Sequence, residues 1–266
     1  MIRNFTKLLF ITTLTLVFGV ANAQTDSVKV RGMGKNLIKV NLTAIPLNNY
    51  SFIYERAIGK KISIGLGFRY MPEDNLPFLD QIGSAIDDED TFNKIKDFKT
   101  GNMAITPEIK FYCGKGVFRG FYVAPFARYA EYKGNVPFEF EYDGDENSAT
   151  PNESATIKLN GKITSITGGL LLGAQWKLSK LIYLNWEILG PSYGSSKGNI
   201  TGLLAGPLAT DEAREGLRAE LKDLEESDIP LIKIKTSVND DTNEAKADFT
   251  GPWAGVRASI GLGFRF

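Results

Sequence analysis

Eight charged side chains fall within stretches whose every second residue is apolar: Lys39, Glu55, Arg69, Glu108, Lys110, Arg128, Glu187 and Arg257. Their types and spacing supply no nucleophile beside a base. What five cations and three carboxylates can do, if they share a narrow interior, is neutralise one another, because a charge shut away from bulk water is costly unless paired. The chain contains no histidine, which removes the commonest general base and the Ser-His dyad together. Its single cysteine, Cys113, cannot form an internal disulfide. Three acidic clusters, at 87–90, 143–146 and 240–241, lack the spaced Asp-x-Asp-x-Asp-Gly…Glu pattern of a calcium loop. They read as solvated charge. The sequence therefore predicts no catalytic, cofactor or metal residues.

The elements that must position those charges are strands. Over 251–266, Pro252, Ala254, Val256, Ala258, Ile260, Leu262, Phe264 and Phe266 fall on one face, with Trp253, Arg257, Ser259 and glycines on the other. Strands of soluble proteins are usually about 5–6 residues long, whereas a tilted transmembrane strand needs about 9–11. The same alternation over the chain predicts eight strands: 36–47, 50–58, 61–71, 101–112, 121–133, 162–177, 181–190 and 251–266. The eight charges fall on the face opposite the bulky apolar residues. Glycines share that face at 65, 67, 169, 255, 261 and 263, leaving room for Trp253, Tyr183 and Phe126. An eight-stranded barrel has an interior just wide enough for side chains to fill. In strand 121–133, bulky residues stand on both sides; placing Arg128 inward puts Phe121, Val123, Pro125, Ala127 and Tyr129 outward.

Arg3 and Lys7, an apolar run over 8–20 and the small-x-small tripeptide 21–23 predict a cleaved signal peptide over 1–23. A polar lead-in over 24–35 then precedes a barrel over 36–266. No cysteine follows the cleavage site, so no lipid anchor is expected. Removing 1–23 leaves a net charge of about minus two from 31 basic and 31 acidic residues, which gives no case for nucleic acid. No helical stretch after residue 23 approaches the roughly 20 apolar residues of a membrane span. A chain lying in lipid must then close into a barrel, because an open sheet would strand unpaired backbone groups there.

Counted from an N-terminus in the periplasm, the turns after the second, fourth and sixth strands are short, while 72–100, 134–161 and 191–250 are long. Short periplasmic turns with long outer connections are the habit of bacterial outer-membrane barrels. Segments 79–98 and 211–226 are expected to hold short helices, the second carrying Leu217, Leu221 and Leu224 on one stripe with acids in its first turn. Its simplest role is to pack on the barrel rim.

The run Lys35-Asn-Leu-Ile-Lys-Val-Asn-Leu-Thr-Ala44, then Tyr54-Glu-Arg56, then Lys61-Ile-Ser-Ile-Gly-Leu-Gly-Phe-Arg-Tyr-Met-Pro72 resembles the opening of a family of small Gram-negative outer-membrane β-barrel proteins of unknown function. The likeness returns at the last strand, where Phe264 and Phe266 stand where such barrels carry the signal read by the outer-membrane assembly machinery. The resemblance implies an outer-membrane location and no catalytic residues.

The expectation is an all-β, up-and-down transmembrane barrel with a filled lumen, partnered by the outer-membrane bilayer and the assembly machinery. It would act as a structural or surface-interaction protein, meeting an extracellular partner through 72–100, 134–161 and 191–250. A narrow channel for ions or small solutes is the alternative, drawn from the net positive lining. A soluble lipocalin-like barrel ranks below both, since its charged face would meet water and its bulky face the cavity. Outer-membrane proteases and acyltransferases place catalytic groups at the outer rim, and no such set can be assembled here.

Overall fold

The structure, a computed structural model, describes residues 34–79, 83, 92, 96, 98–143, 152–205, 208, 210–226 and 231–266. The expected signal peptide, most of the lead-in, most of 79–98 and the acidic clusters at 87–90 and 144–146 lie outside the described residues.

Among the described residues these elements follow one another: β1 (Asn36–Asn41), β2 (Tyr50–Ala57), β3 (Ile62–Asn75), β4 (Lys99–Tyr112), β5 (Gly120–Asp143), β6 (Asn152–Lys177), β7 (Ile182–Leu203), α1 (Asp211–Glu226), β8 (Lys233–Asn239) and β9 (Glu244–Arg265). Strands β1 to β7 pair antiparallel in sequence order, β7 pairs with β9, and β9 pairs back with β1. That closes an eight-stranded barrel, with β8 as an extra strand on β9.

The stagger of the closure follows from the register. Leaving Ile105 on β4 in one direction, the paired residues are Phe68, Phe52, Val40 and Leu262. In the other direction they are Tyr129, Ile166, Ser195 and Pro252. The two routes meet β9 ten residues apart, at 262 and 252. A closed barrel needs such a shear, and it sets the strands at about 35–45° to the axis.

The outer surface is apolar where alternation demanded it. Ile64, Leu66, Phe68 and Tyr70 on β3, Met103, Ile105, Ile109 and Phe111 on β4, and Leu262 and Phe264 on β9 are all exposed. Exposed apolar patches on soluble monomers seldom exceed a few hundred Å², and a belt running round the barrel is the surface of a transmembrane barrel. Phe111, Phe121 and the stacked Trp176–Trp186 pair mark its lower edge, at the short turns. Tyr50, Tyr70, Tyr129 and Tyr193 mark the upper one.

Three details depart from the expected strands. The first strand stops at Asn41, well short of 47: the Asn41 carboxamide accepts the Thr43 N–H at 3.0 Å, and a 3-10 turn follows at Ile45–Leu47 with Pro46 in its first turn. Proline cannot donate to a ladder, so the strand ends there. Bulges at Leu172/Gly173 and Glu187/Gly190 shift the register of β6–β7 and β7–β9, so Leu189, which strict alternation from Ile182 would turn inward, takes an exposed position.

The connections 134–161 and 191–250 are long and hold a helix, yet much of each continues as wall. Strand β5 runs on to Asp143, β6 starts at Asn152, β7 reaches Leu203 and β9 begins at Glu244. Above the belt this wall has a core of its own: Phe140, Ala155, Ile157 and Ala245 with Leu204, and Ala213, Leu217 and Leu221 of α1. The Thr210 hydroxyl caps α1, accepting the Ala213 N–H at 3.2 Å, and Asp211 and Glu212 complement its N-terminal dipole. Arg218 pairs with Asp240 at 2.7 Å, and Arg214 holds Asp211 and Asp240, so Asp240 of the acidic cluster at 240–241 is engaged by arginine. Glu225 accepts the Thr236 N–H at 3.0 Å and its hydroxyl at 2.8 Å; those bonds hold its carboxyl below the usual carboxylate range. The helix therefore packs on a sheet extension and buttresses it. The side chain of Leu224, expected on the same stripe, lies outside the described residues.

Candidate functional site

Inside the barrel, the inward face of each strand builds three layers. The lowest is aromatic. Leu37 from β1, Tyr183 from β7 and Phe118 from the β4–β5 turn are fully buried. Phe118 takes a positive φ of 64°, an unusual conformation for a bulky residue. It meets Tyr112 and Tyr183 edge-on, with both pairs of ring centroids 6.3 Å apart, and Arg265 lies 5.0 Å over its ring. A turn residue thus folds back as a plug. Replacing Phe118 with alanine is expected to cost about 3–5 kcal/mol, as for other buried aromatics. Urea unfolding in detergent micelles measures that cost.

The middle layer is ionic. The Lys39 ammonium donates to Glu55 at 2.5 Å, and Ser63 and Tyr112 each donate to the other oxygen of that carboxylate at 2.5 Å. Lys110 lies 3.4 Å from both Glu55 and Glu108 and 4.1 Å over the Tyr122 ring. Arg257 then spans Glu108 at 3.2 Å and Glu187 at 3.0 Å, and the second Glu187 oxygen accepts the Ser259 hydroxyl at 3.0 Å. Six of the eight expected lumen charges therefore form one continuous chain. The register explains the meeting: Lys39 opposes Ile53 next to Glu55, and Gly65 opposes both Glu55 and Glu108. A Cβ on Gly65 would come 2.9 Å from the Glu108 side chain. Glycine here makes space for a carboxylate. At Gly169 and Gly173 it makes space for the rings of Phe126 and Tyr122, which a Cβ would meet at 2.6 and 2.4 Å.

Arg69 and Arg128 stand apart. Arg69 donates to the Asn49 carboxamide at 3.0 Å, and the Arg128 Nε is buried with no hydrogen-bond partner. Neither has a carboxylate within ion-pair distance among the described residues. Both line a cavity of about 160 Å³ above the ionic layer, with Arg257, Glu187, Asn41, Thr106 and Ser259. Tyr132 and Trp253, 5.2 Å apart, stand on inward positions further up. Phe264 and Phe266, the expected assembly signal, are exposed at the lower rim, where the Phe266 backbone pairs with Asn36.

Sequence reasoning missed Phe118, because a lone phenylalanine in a turn carries no period. It also missed the tall wall, for which a signal existed. Phe138, Phe140 and Tyr142 alternate with Glu139 and Glu141 over the stretch read as a polar insertion, and they pair across to Ile157, Ala155 and Glu153.

Closed pairing, the shear and the apolar belt define the class: an eight-stranded, antiparallel transmembrane β-barrel. No family model matches the chain, and no curated protein does. Among solved structures it is similar to the N-terminal β-barrel domain of Pseudomonas aeruginosa OprF, at 9% identity and a TM-score of 0.25, over 88% of this chain and 100% of that one. The fold assignment rests on the register itself.

Proposed function

We propose that the chain is an integral outer-membrane β-barrel protein with a sealed lumen, acting as a structural or surface-interaction protein through the part that stands above the membrane. The observation that carries this reading is the filled interior: an aromatic plug at the short-turn end, then a continuous ionic layer. A channel needs a water path, and an eight-stranded barrel has room only for its own side chains. The short turns face the periplasm in this reading, so the helix-buttressed wall above the tyrosines faces outward. The apolar terminal strand, ending on Phe264 and Phe266, is the segment offered to the assembly machinery.

The outer part is removable by design of the wall. Leu203 and Glu244 are paired partners on β7 and β9, so residues 204–243 can be replaced by Asn-Gly, which closes a two-residue hairpin. The shortened barrel is expected to fold and insert while losing the phenotype of the full-length protein. A shortened barrel that restores a deletion strain fully would contradict the reading. The positive charge of Arg69 and Arg128 favours a second reading, a narrow anion-selective channel; it requires a path past Phe118.

A further inference from the structure

We propose that the cavity at Arg69 and Arg128 is a binding site for an oxyanion, a phosphate group above all, entered from the side over the low β1–β2 hairpin. The charge count motivates the ligand. Lys39, Lys110 and Arg257 are matched by Glu55, Glu108 and Glu187 in the chain of contacts below. Arg69 and Arg128 are left over. Glu187 is the one carboxylate lining the cavity, and its oxygens are taken by Arg257 and Ser259. A guanidinium Nε buried without a partner is costly, and an arginine fork matches the oxygens of a phosphate. Asn41, Thr43, Ser51 and Thr106 add neutral hydrogen-bonding groups to the lining. A cavity of about 150 Å³ takes a benzene-sized guest, so one phosphate group fits.

The entrance follows from the uneven wall. β8 covers the edge of β9 down to Thr250, and β1 covers it from Gly261 onward. Leu42 and Thr43 donate their N–H groups to the Ile260 carbonyl, and the Thr43 hydroxyl accepts the Ile260 N–H. Among the described residues, 251–259 of β9 have no strand on that side, and Val256, at 69% exposed, and Ala258 line the cavity there with Ala44 and Leu47 of the hairpin. An unpaired strand edge is not tolerated deep in lipid. This one lies at the upper interface, because Tyr70 and Tyr129, the outward neighbours of Arg69 and Arg128, belong to the upper tyrosine girdle. The arginines thus stand at headgroup depth beside a gap in the wall. The chemistry suits a phosphorylated lipid headgroup or a free phosphate. The anion site stands on the cavity alone, whereas the lipid source also rests on the membrane reading above.

The test uses the refolded full-length barrel in neutral detergent at constant ionic strength. Inorganic phosphate is titrated in one arm and micellar phosphatidic acid, against phosphatidylcholine, in the other; the readout is the thermal midpoint, which rises with any ligand bound to the folded state. Wild type is expected to gain several degrees in a saturable way. The Arg69→Gln/Arg128→Gln variant, which removes unpaired charges and should fold, is expected to bind at least about tenfold more weakly. Stabilisation by phosphatidic acid well below the phosphate concentration that matches it assigns the lipid as the source; equal response to both assigns the free anion. No saturable shift with either probe, or the same shift in the variant, overturns the proposal. Insertion of the barrel into vesicles, measured separately, reports whether the membrane reading fails instead.

Discussion

Glu55→Gln is expected to destabilise the barrel by about 3–5 kcal/mol, the cost of removing one partner from a buried ion pair. Glu55 is fully buried and is the hub of the ionic layer, accepting from Lys39, Ser63 and Tyr112 while standing 3.4 Å from Lys110. Glutamine keeps the shape and can still accept a hydrogen bond, so little of the loss can be blamed on packing. It leaves the buried Lys39 ammonium with no carboxylate at ion-pair distance among the described residues, and Lys110 with Glu108 alone. Urea unfolding in micelles, followed by tryptophan fluorescence, measures the loss. Lys39→Met in the Glu55→Gln background should restore part of it, because the uncompensated charge is then gone; coupling of this kind is what a double-mutant cycle isolates. A variant within about 0.5 kcal/mol of wild type, the range of an ordinary surface substitution, would show that the layer does not hold the barrel.

Leu66→Arg is expected to cost about 2–4 kcal/mol in lipid, the depth-dependent penalty for a cation on the lipid face near the bilayer midplane. Leu66 is 53% exposed and lies midway between Ile62 and Tyr70, paired with Tyr54 and Pro107. A soluble barrel would tolerate this change, since an exposed leucine there would already face water. Leu231→Arg supplies the control. Leu231 is 78% exposed and precedes β8, which pairs with β9 above the belt, so its replacement should fall within about 0.5 kcal/mol. Equal penalties at the two positions, by unfolding in vesicles, would place the apolar belt elsewhere than in lipid.

The barrel wall was legible because its physics has a period. Each strand has lipid on one side and a packed lumen on the other, so alternation placed Lys39, Glu55, Glu108, Lys110, Glu187 and Arg257 on the face where they meet; in strand 121–133, bulky on both sides, the charge of Arg128 had to choose the inward face. Their pairing was not legible, because it depends on the ten-residue stagger, and no single strand contains that information. Bulges at Gly173 and Gly190 escaped for the same reason: they belong to pairs of strands. Phe118 escaped because a plug made from a turn has no repeat. In the outer wall the alternation is present, but Glu139, Glu141 and Lys158 dilute it: one face packs against α1 and the other meets water, which gives the stretch the polarity of a loop.

The sealed lumen is the claim on which the functional reading turns, and single-channel recording of the refolded protein in a planar bilayer tests it most directly. The ionic layer and the Phe118 plug predict a folded, inserted barrel that passes no current, with the Phe118→Ala variant leaking first if any does. Reproducible, charge-selective openings of the wild-type barrel would contradict the account and make Arg69 and Arg128 the lining of a pore.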